Sequence, residues 1–135
     1  MSQPIRWQHD GRRIILPVRV LTPSAEGDLE VEGYALLDTG STLTGIPARV
    51  ARKLGLVPRG KKPIGSITGD GQAERYYFRI ALHGPPSNPT YPLVFDDRAG
   101  FELRDSFAFE ALIGMDILGR CNFAIGADGD CSLSL

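Results

Sequence analysis

The sequence is poor in the residues on which most catalytic and metal-binding motifs depend. Its 135 residues include two cysteines, two histidines and one tryptophan. Cys121 and Cys131 alone cannot form a disulfide framework, and core packing is the expected role of each. Neither His9 nor His83 lies beside a Cys, Ser or Asp in a nucleophile motif, so both read as surface histidines. No phosphate-cradling glycine loop, zinc pattern or complete calcium loop is present, and Asp128-Gly129-Asp130 reads as a turn. The expectation is therefore no metal and no cofactor. A net charge of −1 supplies no field to gather nucleic acid or acidic lipid, so neither partner is expected. No apolar run approaches the length of a membrane span, and the first residues lack a signal-peptide core; a cytoplasmic, reduced setting follows as the expectation. There is also no internal repeat, low-complexity tract or linker. With 42% hydrophobic and 23% charged residues, the chain has the size and composition of one globular domain.

What is present centres on Tyr34-Ala35-Leu36-Leu37-Asp38-Thr39-Gly40-Ser41-Thr42. Four neighbouring apolar residues read as a buried strand that ends in a carboxylate. A lone anion there is costly to bury, so something must stabilise it or share its charge. Gly40 allows close backbone approach, and Thr39, Ser41 and Thr42 offer hydroxyl groups. Taken alone, Asp38-Thr39-Gly40 is equally readable as an Asx turn closing a strand.

The rest of the chain reads as many short strands. Residues 1–11 form a polar arm or short edge strand. Arg12 to Leu21 is a strand that Pro17 marks as an edge or a bulge. Leu29-Glu30-Val31-Glu32 alternates as a half-buried strand should. Pro47 to Gly55 predicts a short helix with Pro at its first position and Gly as its stop. Residues 61–83 predict a hairpin turning at Thr68-Gly69-Asp70-Gly71, because Asp-Gly favours tight turns, with Tyr76, Tyr77 and Phe78 assigned to the core. A short strand is expected from Thr90 to Phe95, a loop with one helical turn from Asp96 to Ser106, and a strand from Phe107 to Ile113. A helical turn at Gly114–Gly119 and a terminal hairpin from Cys121 to Leu135 complete the pattern. The rhythm is that of an all-β, closed barrel-like domain.

Leu-Leu-Asp-Thr-Gly-Ser, followed much later by Ala111-Leu112-Ile113-Gly114, resembles the active-site loop and second signature of the aspartic peptidases. With one Asp-Thr-Gly in a short chain, the resemblance is to the single-lobe, retropepsin-like group and its small bacterial members, over roughly Ile14 to Leu135. It implies an acid-protease lobe over residues 12–135, with one short α-helix after the catalytic loop and an N-terminal arm at residues 1–11. It implies Asp38, Thr39 and Gly40 as the catalytic loop, with Thr39 bonding across a dimer axis and Ser41 or Thr42 bonding the outer oxygen of Asp38. It makes Ile67, Thr68, Gly69, Asp70 and Gly71 a flap that, with Ser41, holds an extended peptide. Asp116 is taken as structural, holding the helix turn. The implied chemistry needs two carboxylates sharing one proton, and no second Asp-Thr-Gly or Asp-Ser-Gly exists. A symmetric homodimer acting on peptide or protein substrate is the expectation; the competing reading is a non-catalytic dimerisation or peptide-binding module.

Overall fold

The computed structural model of the chain describes residues 3–66 and 69–135. Among the described residues, ten strands and two short α-helices follow one another: β1 (Ile5–Gln8), β2 (Ile15–Leu21), β3 (Glu30–Leu37), β4 (Gly45–Pro47), α1 (Ala48–Leu54), β5 (Lys61–Ser66), β6 (Gly69–Leu82), β7 (Leu93–Leu103), β8 (Ala111–Ile113), α2 (Met115–Leu118), β9 (Asn122–Ile125) and β10 (Asp130–Ser134). Seven strands form one sheet in the order β2-β3-β8-β4-β7-β6-β5, and β2 also pairs with β6. A second sheet, β1-β10-β9, places the first and last strands side by side, with Ile5 opposite Leu133.

The core follows from alternation. In β2 the inward residues Leu16, Val18 and Val20 are buried, and Ala35 and Leu37 do the same in β3. Phe78, Ile80 and Leu82 of β6 and Ile113 of β8 complete a core fully shielded from water. On α1, Val50, Ala51 and Leu54 face this core. Gly55 ends the helix at φ 62°, a left-handed conformation that favours glycine.

Several expectations are corrected. β2 is not an edge strand, because from Val18 to Leu21 it pairs with both β3 and β6. Pro17 lies just before that doubly paired stretch, where its carbonyl accepts the His83 N–H at 3.0 Å. Pro47 precedes α1 as an extended cap, one residue earlier than expected. The expected loop from Asp96 to Ser106 is mostly strand: β7 continues to Leu103, held against β6 through an irregularity between Phe78 and Ile80. Pairing with a long neighbour overrides the weak strand preference of Asp96-Asp97-Arg98. The strand expected from Phe107 shortens to Ala111–Ile113. The carbonyls of Asp105, Phe107 and Phe109 turn instead to the Arg49 guanidinium, at 2.9–3.0 Å. Tyr76 and Phe78 are buried as expected, whereas Tyr77 faces out beneath the Arg59 guanidinium.

His83 is more than a surface histidine. Its Nε2 accepts a hydrogen bond from Arg19 Nε at 2.8 Å, while Arg19 Nη1 reaches Glu30 Oε2 at 2.8 Å. Burial first, and the Arg19 charge second, hold the imidazole below its ordinary value of 6.5. Protonation removes the acceptor and sets cation against cation. Because the folded chain binds this proton less readily than the unfolded chain, stability is complete above pH 6.5 and declines as pH falls below it. Urea midpoints followed from pH 7.5 to 5 are expected to fall less in His83→Gln than in wild type; equal slopes would remove His83 from the account.

Candidate active site

The strand order explains why Asp38 stands where it does. β3 and β8 run parallel, pairing Ala35, Leu36 and Leu37 with Ala111, Leu112 and Ile113. β4 lies on the other side of β8 and antiparallel to it, joined through Gly45 and Leu112. The chain therefore leaves β3, steps over the end of β8 and returns as β4. Residues 38–44 are that step. Asp38 N–H donates to Ile113 O at 2.9 Å, which extends the ladder into the loop.

Within the loop, Gly40 N–H donates to Asp38 Oδ1 at 2.9 Å and Ser41 N–H to Asp38 O at 3.2 Å. This is the Asx turn that the sequence allows, and it coexists with an available carboxylate. Oδ2 of Asp38 accepts no hydrogen bond among the described residues. Asp38 is half-buried, and Thr39 and Gly40 are exposed. The Ser41 hydroxyl does not reach Asp38 as expected; it donates to Leu43 O at 2.8 Å.

Under the loop lies Gly114, the glycine of the second signature. A Cβ there would stand 2.5 Å from Leu43 O and 2.9 Å from Ser41 O. Only glycine allows the loop to sit this close. The first N–H groups of α2 then serve the loop instead of water: Met115 N–H donates to Ser41 O at 2.8 Å and Asp116 N–H to Thr42 O at 3.1 Å. Thr44, completely buried, closes the arrangement. Its hydroxyl donates to Asp116 Oδ1 at 2.7 Å, its N–H donates to Asp116 Oδ2 at 3.1 Å, and its Oγ1 accepts the Gly114 N–H at 3.1 Å. Asp116 thus binds the loop across 72 sequence positions in addition to opening α2. The sequence reading missed Thr44; its one signal is a hydroxyl directly before the apolar Gly45-Ile46-Pro47.

Of the expected flap, Ile67 and Thr68 lie outside the described residues. Gly69, Asp70 and Gly71 are not turn residues but the start of β6, opposite Ser66, Gly65 and Ile64. The same register runs back to Lys61 opposite Glu74. No hydrogen bond joins this hairpin to the Asp38 loop among the described residues.

Two concavities of about 510 and 530 Å³ share Pro17, Tyr34 and Pro86, and neither reaches Asp38. Asp38 instead lies in an open surface loop, near which Leu43 and Met115 remain 46% and 43% exposed. Among the described residues no group of His, Cys, Asp and Glu could hold a metal, and no helix is long and apolar enough to cross a membrane. Cys121 and Cys131 are free thiols, both pushed upward in pKa chiefly by burial.

Comparison with known proteins agrees with this geometry. Residues 24–83 match the sequence family described as aspartyl protease, a span that includes Asp38 and the β5–β6 hairpin. No curated protein matches the chain in sequence. In fold, it is similar to a retropepsin-like aspartic protease from Rickettsia conorii, with a TM-score of 0.68 and 16% identity over 98% of this chain and 91% of the other. Residues 24–83 thus resemble the aspartyl protease family, and the fold of nearly the whole chain is similar to that of a retropepsin-like aspartic protease.

Proposed function

We propose that the chain is an aspartic endopeptidase that works as a homodimer, with Asp38 of each copy meeting on the two-fold axis. The observation that carries this reading is Asp38 itself: a loop-borne carboxylate with one oxygen committed to Gly40 N–H and the other without a hydrogen bond among the described residues. Two such carboxylates brought together share one proton. The ionised group takes a proton from water, which attacks the peptide carbonyl, and the protonated group donates to the carbonyl oxygen. No covalent intermediate, metal or cofactor enters. The exposed Leu43 and Met115 beside the loop are apolar surface for the partner copy to cover.

In this reading Thr39 bonds across the axis, and Ser41 with the β5–β6 hairpin (Ile67, Thr68, Gly69, Asp70 and Gly71) holds an extended peptide through main-chain hydrogen bonds. The β2–β6 pairing supports a closed, barrel-like single lobe over residues 12–135, with residues 1–11 as its arm. A cytoplasmic setting agrees with two free thiols. The competing reading is a non-catalytic dimerisation or peptide-binding module, and an intact Asp38-Thr39-Gly40 disfavours it because apposed carboxylates are costly without chemistry to perform.

Digestion of a proteome-derived peptide library from pH 4 to 7, beside sedimentation over a dilution series, tests the proposal. New peptide termini are expected, and specific activity is expected to fall as the dimer dissociates. Cleavage by a species that stays monomeric would overturn the dyad, and a stable dimer that cleaves nothing would favour the binding module.

A further inference from the structure

We propose that Thr44 and Asp116 are positioning residues for the Asp38 carboxylate, acting through the loop that joins the two signatures; this rests on the peptidase reading above. Gly114 N–H donates to Thr44 Oγ1, whose own proton goes to Asp116 Oδ1, while Thr44 N–H takes Oδ2. Both Thr44 donors enter one carboxylate, so the relay runs one way only and needs an acceptor at both oxygens. Thr44 is completely buried, and hydrogen bonds to a charged acceptor are stronger than neutral ones.

The location decides the role. The front of the loop is fixed to β8 by Asp38 N–H on Ile113 O. Its back half is held at Ser41 O and Thr42 O by α2, and at Thr44 by Asp116. Without the Thr44 relay the loop keeps its Asp38 end and its bonds to α2 but loses its anchor at the Thr44 end, and with it the setting of the Asp38 carboxylate. In a symmetric dimer each copy contributes one carboxylate, so a displacement in one loop is repeated in the other and the two errors add at the axis. A misplacement of about 1 Å is enough to cost roughly 100-fold in rate.

Three variants test this: Thr44→Val, which keeps shape without the hydroxyl, Thr44→Ser, which restores it, and Asp116→Asn, which turns one acceptor into a donor. Thr44→Val is expected to lower kcat roughly 10- to 100-fold with KM within about threefold, and Thr44→Ser to recover to within about threefold of wild type. Asp116→Asn is expected to resemble Thr44→Val, and to carry the test if Thr44→Val does not fold. Hydrogen exchange supplies a readout independent of activity. Peptides covering residues 38–46 and 113–117 are expected to exchange roughly tenfold faster or more in Thr44→Val, with residues 15–21 and 76–82 unchanged. Retained kcat, equal losses in the Val and Ser variants, or exchange raised equally throughout the chain would overturn the positioning role. If wild type cleaves nothing, the peptidase reading fails by itself, and unchanged exchange in the loop would still refute the relay.

Discussion

Asp38→Asn is expected to lower peptide cleavage roughly 10³-fold or more while the protein stays folded and dimeric. Asn has the shape of Asp and keeps an oxygen for the Gly40 N–H that Oδ1 accepts at 2.9 Å, so the turn survives. What is lost is the exchange of a proton with water. In the proposed dimer each active pair draws one carboxylate from each copy, so the variant also acts on its neighbour. Mixing equal amounts of wild type and Asp38→Asn, with time for subunits to exchange, is expected to leave about one quarter of the dimers with both carboxylates. Activity tracking that fraction would establish a dyad built in trans. Activity that falls only by half would mean that each wild-type copy works alone, and cleavage equal to wild type by the pure variant would mean that another residue performs the chemistry.

Gly114→Ala is expected to be the most destabilising single methyl that can be added near the site. The new Cβ would meet the carbonyls of Leu43 and Ser41 at 2.5 and 2.9 Å, and both are backbone atoms of a loop anchored at each end. Ser41 O accepts the Met115 N–H and Leu43 O accepts the Ser41 hydroxyl, so neither can move without disturbing a hydrogen bond. A cost of about 3 kcal/mol or more is expected, at the upper end of overpacking effects. Gly33→Ala is the natural control. There the added methyl would meet the Glu110 side chain, which can rotate away at the expense of its bond to Tyr34 N–H. Urea denaturation of the two variants should separate them clearly, and a Gly114→Ala protein as stable as Gly33→Ala would contradict the straddling geometry.

The parts of this molecule legible in its sequence are those whose causes are local. The apolar run, the carboxylate and the small residues from Tyr34 to Thr42 lie within one turn of chain, and so does the Gly55 that stops α1. The Thr44–Asp116 relay was not legible, because its partners are 72 positions apart and no local pattern encodes their register. The Asp96-Asp97-Arg98 stretch was misread for a related reason. Its residues favour a loop, and only the length of β6 beside them imposes a strand. The Asp70-Gly71 turn failed in the opposite sense, as a strong local signal yielded to the strand register set by Lys61 and Glu74. The loop that carries Asp38 was legible, but the bonds that position it were not.

The placement of β1 against β10 has a consequence for the order in which the chain assembles. Gln8 and Asp130, paired in that sheet, are separated by 122 positions, so β1 remains unpartnered during synthesis until almost all the intervening chain has been made. The β2–β3 and β6–β7 pairs need far shorter loops and can form while synthesis continues. Contacts of such long range slow folding, and the Asp38 loop shares this dependence because its floor, residues 113–116, is also made late. A nascent chain arrested before β8 therefore carries Asp38 on a loop with nothing beneath it. The setting of the Asp38 loop is among the last features the ribosome's product acquires.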